Sequence, residues 1–568
     1  MSYRKTEDGC RKMTEAEEIK MLKKQLAEKD KIISDNEKLL AEKDRKLMEQ
    51  EEKIRRQEIQ IENMTQALLH ARKKMFGSHT ETADTEGQIS LFPDLEGLAG
   101  ALVSEQKKIT VPEHKRTPRK EGVRKEMLAA LPKEVEEYVI DEGKTCSVCG
   151  GKLKVIGKEI VRTEVEFRPA ALVVKQVVRQ VAKCTECGRT GNGRPGHIEK
   201  AAVPAKILSH SIATHSLAAQ VMYQKFALGI PFSRQENDFY RLGLVLSRAS
   251  MARWTIRCSE EWLMPVYDRI HECLIRNCGI LHMDETRIQV NKENGKKASS
   301  QSFMWVLKSG ACEDIRATFF HYSRTRAKKV ALELIDGFEG YLTTDAYAAY
   351  ADMGLETVRN SFCWSHVRRY FIESIPLDDN GKEIPGSKGA EGREYINLLF
   401  KLEKEMSGLS YDAKKERRQK VSRALLDSFW SWVEKTSQTP TVNEKLTKAL
   451  NYSLNHREQL ETFLEDGRLE ISNNLCESHI RPFATARRAW LFADTPNGAK
   501  ANAVMYTLVE SARENNLNVY AYLDYLLATM PNADHHNHPE VIDDLLPWSE
   551  KLPQQCRLVQ KHKKSFKK

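Results

Sequence analysis

Apolar residues recur at every seventh position near the start of the chain. Ile19, Leu26, Ile33, Leu40, Leu47, Ile54, Ile61 and Leu68 fall on one column, and the word Leu-Ala-Glu-Lys-Asp occurs at both Leu26 and Leu40. A strict period of seven predicts a left-handed coiled coil over residues 1–75. A lone solvated helix fits such a column less well. The positions three further on, Lys29, Asn36, Lys43, Gln50 and Gln57, are polar, which weakens the seam but fixes its register. The period is then lost. Residues 76–140 read as a basic linker carrying Lys107, Lys108, Lys115, Arg116, Arg119, Lys120, Arg124 and Lys125, suited to phosphate contact or simply to solvation.

Residues 201–277 return to a helical pattern. Between Phe232 and Trp254 the rhythm is that of a helix–turn–helix, with Gly243 at the turn, Ser247 as the next N-cap, and Arg248 and Arg253 placed to meet DNA. A plain helical hairpin fits equally well. From 279 the pattern changes to strands at 279–290, 301–308 and 316–323. A helix from Ala327 to Ile335 follows, then a strand ending at Asp345 and a fifth strand from Val358 to Trp364. That order is the order of a ribonuclease H-like α/β core, here split into 278–372 and 466–530 by a polar helical insertion at 373–465. A tail occupies 531–568. The predicted class is multidomain α+β.

Charge and cysteine usage narrow the picture. The 568 residues are 30% charged with a net charge of +10, which favours an acidic partner. The sequence contains no apolar run of about 18 residues, so no membrane span is expected. The Lys/Glu-rich start is no signal peptide. Among 12 cysteines, Cys146-Ser-Val-Cys149 and Cys184-Thr-Glu-Cys187 form two CxxC pairs around Val-rich segments. Four thiolates close a tetrahedral Zn²⁺ shell, so residues 141–200 read as a structural zinc ribbon of short strands in a reduced, cytoplasmic and nucleoid-associated protein. Two disulfides or an iron–sulfur cluster are the competing uses.

Three acids stand in settings suited to phosphoryl chemistry. Asp284 lies in the strand-like run 279–290, Asp345 ends Gly340-Tyr-Leu-Thr-Thr-Asp345, and Glu477 lies in Ser472-Asn-Asn-Leu-Cys-Glu477. Two Asp on strands with a Glu on a later helix is the layout of a site that cuts and joins DNA with two Mg²⁺ or Mn²⁺ ions. Simpler uses exist for each. Asp284 and its neighbour Glu285 alternate in side along a strand, so only one faces the site. Asp345 could cap a helix, Glu477 could pair with Arg481, and Pro482 should end or bend the helix that carries Glu477.

The words around these acids resemble the large transposase of the insertion sequence 66 family. They are His282-Met-Asp-Glu-Thr286, Thr344-Asp-Ala-Tyr347, Cys363-Trp-Ser-His-Val-Arg-Arg369, Asn473 through Glu477 to Ile480-Arg-Pro482, Arg487-Arg-Ala-Trp-Leu-Phe492 and Gly498-Ala499. Lys74-Met-Phe-Gly77 and Asp544-Leu-Leu-Pro-Trp548 extend the likeness to both ends. The resemblance implies a DDE triad of Asp284, Asp345 and Glu477, prefers Asp284 to Glu285, and implies accessory proteins from the same element. Ser478-His479 and Ala486-Arg-Arg488 depart from the family's usual words. His366 could position DNA or assist proton transfer, or be a satisfied structural histidine. Arg481, Arg487, Arg488 and Lys500 are expected to contact phosphate, whereas His535-His-Asn-His538 reads as an exposed loop rather than a metal site. The coiled coil would pair protomers as a homodimer or higher oligomer on transposon ends and target DNA. The rival functions are a non-catalytic DNA-binding regulator and a nuclease that cuts without joining.

Overall fold

The computed structural model describes residues 15–76, 128, 133–168, 171–186, 197–351 and 353–558. The basic stretch Lys107–Lys125 of the linker, Cys187 and the Lys561–Lys568 tail therefore lie outside the described residues. The described chain forms two compact units. One holds the N-terminal helix α1 (Glu15–Phe76) with residues 370–394 and 434–451. Within it the last turns of α1 are held by side chains: Gln66 Nε2 donates to the Leu377 carbonyl at 3.1 Å, a ring nitrogen of His70 lies 2.8 Å from the Ile375 carbonyl, and Asn63 Nδ2 reaches Val442 O at 3.1 Å. The heptad column stays in solvent. Leu26, Leu40, Leu47, Ile61 and Leu68 are 58–71% exposed, a row of apolar residues that a single chain leaves uncovered.

The other unit contains both sheets. In the first, β2 (Leu153–Arg168) and β3 (Ala171–Cys184) form one long antiparallel hairpin, with β1 (Lys133–Tyr138) parallel to β3 and β4 (Ile198–Lys200) antiparallel to it. The strands are longer than the short ones the sequence suggests. Register shifts at Val155/Gly157 and Ile160/Arg162 carry the pairing through polar interruptions that look like strand ends in the sequence. Helices α2 (His215–Met222), α3 (Phe232–Arg241), α4 (Arg248–Cys258) and α5 (Met264–Asn277) follow. Gly243, at φ +84°, turns the chain between α3 and α4, and the Ser247 side chain caps α4 by accepting from Ser250 N at 3.2 Å.

The second sheet runs in the order β7-β6-β5-β8-β9, with β5 (Ile280–Val290), β6 (Gln301–Ser309) and β7 (Thr318–Ser323) antiparallel. After α6 (Lys328–Leu334), β8 (Gly340–Thr344) pairs parallel to β5; after α7 (Ala348–Ala351), β9 (Val358–Phe362) pairs parallel to β8. β5 and β6 are central and covered on both faces, which explains the continuous buried runs Ile280–Met283, with the polar His282 inside it, and Met304–Leu307. Gly340 opens β8 at φ +146°, where a Cβ would stand 2.2 Å from the Gly279 carbonyl; only glycine permits β8 to come this close to β5.

Helix α8 (Trp364–Glu373) leaves β9, and the helices α9 (Lys388–Glu405), α10 (Arg423–Ser437) and α11 (Glu444–Asn455) fill the predicted insertion. Then come α12 (Asn474–Trp490), the short β10 (Phe492–Ala493), α13 (Pro496–Glu514) and α14 (Val519–Thr529). Pro482 does not end α12, which continues to Trp490. A proline forfeits one helical hydrogen bond and crowds the preceding turn, but burial of Cys476, Ile480, Phe483 and Ala486 on one face holds the helix on both sides of it. α13 is buried along nearly its whole length and packs on β7, where Thr507 Oγ1 accepts from Phe320 N at 2.9 Å. His535 is buried rather than exposed, and a ring nitrogen sits 3.2 Å from Ala533 O.

Candidate active site

Four acids converge around the central strands. Asp284 lies mid-β5 opposite Val306, Asp345 directly follows β8, and Glu477 lies in the first turn of α12. Burial raises the Asp284 carboxyl well above its usual value, and the charges of Glu285, Asp345 and Glu477 raise it further. Burial raises Asp345 against the pull of the Tyr347 N–H, Arg326 and Arg369. Burial also raises Glu477, with Arg369 and Arg481 opposing and Asp345 adding to the rise. Desolvated acids that repel one another are stable as anions only with cations among them.

Glu285 has different company. Arg326 Nε and the Tyr350 hydroxyl both donate to its carboxylate, and the Arg326 guanidinium stacks 3.5 Å from the centre of the Tyr347 ring. Burial still raises the Glu285 carboxyl, but these partners offset it. Glu285 is thus tied to arginine and tyrosine, while its charge still acts on Asp284 and that of Asp345 acts on it. One Asp345 oxygen accepts the Tyr347 N–H at 3.1 Å, an Asx-turn ahead of α7, which begins at Ala348.

One buried residue organises the pocket. Asn473 occupies the N-cap position of α12 but makes no side-chain cap bond, because its amide is engaged elsewhere. Its Nδ2 donates to Met283 O at 3.0 Å, its Oδ1 lies 3.0 Å from His282 Nδ1, its own N–H donates to Cys363 Sγ at 3.1 Å, and its carbonyl accepts from Glu477 N at 3.1 Å. Cys363 N in turn donates to Thr344 O at 3.1 Å. The bonds reach Met283 beside Asp284, Glu477 itself and, through Cys363, Thr344 beside Asp345. A buried hydrogen-bond network of this kind fixes positions more tightly than packing alone.

His366 sits one turn into α8, with its Nδ1 buried and without a hydrogen-bond partner. Burial lowers its pKa to about 3, with Arg369 adding to the drop, so the ring is neutral. Arg248 and Arg253 are exposed on α4, Arg488 is exposed near the end of α12, and Arg481 and Arg487 are half-buried there. The Arg487 guanidinium donates to the Arg287 carbonyl, so it ties α12 to β5 besides any other role. Sequence reasoning missed Arg326 and Tyr350, and saw Asn473 and Arg369 only as parts of motifs. The spacing of His366 and Arg369, three apart on a helix, was the one local signal for Arg369.

The hairpin of the first sheet ends in a thiol cluster. Cys146, Cys149 and Cys184 bring their sulfurs within 4.8 Å of one another, and the Cys149 and Cys184 sulfurs are 3.5 Å apart. All are free thiols, and this donor set fits a tetrahedral Zn²⁺ shell. The expected fourth ligand, Cys187, lies outside the described residues. Among the described residues no helix is long and apolar enough to cross a membrane.

Residues 210–501 match the family described as "Transposase IS66 family", and residues 507–548 match its "IS66 C-terminal element". Residues 144–188 match the "zinc-finger binding domain of transposase IS66", and residues 63–135 match "Transposase C of IS166 homeodomain". Uncharacterized protein y4jD of Sinorhizobium fredii (strain NBRC 101917 / NGR234) is 28% identical over 445 residues, covering 75% of this chain and 82% of its own. Uncharacterized protein y4qI of the same organism is 27% identical over 510 residues, covering 86% and 89%. The solved "Drosophila P element transposase strand transfer complex" aligns with 58% of this chain and 86% of that chain at 14% identity, with a TM-score of 0.21 that is too low to define a shared fold.

Proposed function

Because the chain belongs to the IS66 transposase family and carries its zinc-finger domain, we propose that it cleaves transposon-end phosphodiesters and joins the 3′-OH ends to target DNA through a DDE triad of Asp284, Asp345 and Glu477. The observation that carries this reading is the convergence of those acids, all with raised carboxyl pKa values, from β5, the end of β8 and the start of α12. Antiparallel β5–β7 followed by parallel β8 and β9 supports a ribonuclease H-like core. Clustered carboxylate oxygens suit hard cations such as Mg²⁺ or Mn²⁺. Bound there, two such ions supply the positive charge that offsets the build-up on the attacking and leaving oxygens at phosphorus.

The chain's own residues do the rest. Asn473 holds the three acid-bearing segments in register. Arg326 and Tyr350 hold the Glu285 carboxylate in place beside Asp284. Arg369 and Arg481 face the acids and are placed to receive non-bridging phosphate oxygens, while His366, neutral, contributes a ring nitrogen beside Glu477 for positioning or proton transfer. Arg248, Arg253, Arg487 and Arg488 extend phosphate contact outward. The exposed heptad column of α1 supports pairing of protomers into a homodimer or higher oligomer, so that two sites serve two ends.

A strand-transfer assay on end-containing oligonucleotides with Mg²⁺ tests this reading. Wild type should give cleaved and joined products, and Asp284→Ala should give neither. Binding without cleavage by the wild type would point to a regulator, and cleavage without joining to a nuclease. Full activity in Asp284→Ala would sink the triad.

A further inference from the structure

We infer that Cys363, His366 and Glu477 form a second cation site beside the acid cluster, one that takes a borderline divalent ion of the Zn²⁺ type rather than Mg²⁺. One ligand atom from each residue lies within 4.8 Å of the other two. Zn²⁺ binds N, O and S donors at about 2.0–2.3 Å, so donors around one ion stand less than about 4.6 Å apart, within a small side-chain adjustment of this arrangement. A sulfur, an imidazole nitrogen and one carboxylate oxygen make a mixed donor set, whereas Mg²⁺ prefers oxygen alone and retained water.

The plainer explanation is that Cys363 is the N-cap of α8. Its sulfur does accept a backbone N–H, from Asn473 at 3.1 Å, and the N–H groups of Ser365 and His366 at the start of the helix also favour its charged form. That accounts for the cysteine and leaves His366 unexplained, because its buried ring nitrogen has no hydrogen-bond partner. An ion shared with Cys363 and Glu477 gives that nitrogen a partner. The same backbone N–H groups that cap the helix would stabilise a ligating thiolate. Glu477 belongs to both clusters, so an ion held here would draw its carboxylate from the acid set. That consequence rests on the proposed function; the ligand set itself does not.

The test uses the full-length protein and Zn²⁺ alone, with metal content measured after dialysis. Wild type and Asp284→Asn should each retain two zinc ions per chain, one of them in the ribbon, and Cys363→Ala and His366→Ala should each retain one. A single zinc in the wild type, or two in both Cys363→Ala and His366→Ala, would overturn the site. Since Cys363→Ala also removes a cap, Co²⁺ titrated into metal-free wild type gives a reading that needs no variant. A thiolate-to-cobalt absorption that saturates at two equivalents, one for the ribbon and one for this site, is expected, and saturation at one equivalent overturns the proposal. Zinc content is independent of strand transfer, so an inactive protein holding two zincs would fault the proposed function and leave this site standing.

Discussion

Two buried charged clusters in the same unit are built on opposite terms. Around Arg418, which is 0% exposed, every guanidinium donor is used: two reach Glu403 at 2.7 and 2.8 Å, and the other three reach the carbonyls of Phe463, Asp466 and Leu469 at 2.7–2.8 Å. Burial alone would raise the Glu403 carboxyl, but Arg418 and Lys414 outweigh it and hold it below its usual value. Around Asp284 the carboxyls of Asp284, Glu285, Asp345 and Glu477 are all held high, although Arg326 and Arg369 lie nearby. The first cluster is complete within the chain. The second is organised by Asn473, yet the arginines beside it leave its carboxyls above their usual values. Buried charge that the fold satisfies marks architecture, and buried charge that it leaves over marks a site.

The sharpest way to break this contrast is Asp284→Asn. Strand transfer should fall about a thousandfold or more, the scale of several kcal/mol of lost transition-state stabilisation. The thermal midpoint without metal should hold or rise, because one repelling charge has gone; a large drop would make the two clusters alike. Arg418→Met should do the reverse, costing about 3–5 kcal/mol in chemical denaturation by leaving Glu403 buried and unpaired.

Asn473→Ala should cost about 1–3 kcal/mol, the usual penalty for stranded buried partners. It should also raise the Mg²⁺ concentration needed for half-maximal activity, which a purely structural loss would not do. Asn473→Asp keeps the acceptor for His282 while losing the donor to Met283 O, and should recover part of the stability but little of the metal response.

The smallest effect is in pH. Glu403 is held low, so its stabilisation is present above the ordinary carboxylate value of 4.5 and fades as pH falls through its folded value. Asp284 is held high, so its cost begins as pH rises past 3.8 and grows until the folded value is passed. The thermal advantage of Asp284→Asn over wild type should therefore shrink on acidification from pH 8 to pH 5. A constant offset would remove the electrostatic basis of the comparison.

Much of this was legible in the sequence where the physics is local. A period of seven is a property of one helix, and the apolar runs of β5 and β6 follow from burial on both faces. The DNA-processing words around the acids picked out Asp284, Asp345 and Glu477. What escaped depends on distant partners. Asn473 meets Met283 across 190 positions, and Arg326 meets Glu285 across 41. Neither separation leaves a periodic trace. The ribbon strands were underestimated because bulges look like breaks, and Pro482 was overestimated because a proline's local penalty is visible in the sequence while the burial that outweighs it is not.

The attachment of α12 has a consequence for how this protein tolerates change. Its first residue is pinned to β5 through Asn473 and Met283, and its far end returns to β5, where β10 pairs with Gln289 and Val290 and Asn291 N donates to Ala493 O at 3.1 Å. Glu477 therefore rides on a span bolted at both ends to the strand that bears Asp284. The separation of these acids is gauged by that strand, not by the length of chain between them. Loops of the helical insertion could lengthen or shorten across lineages while the calliper stays set.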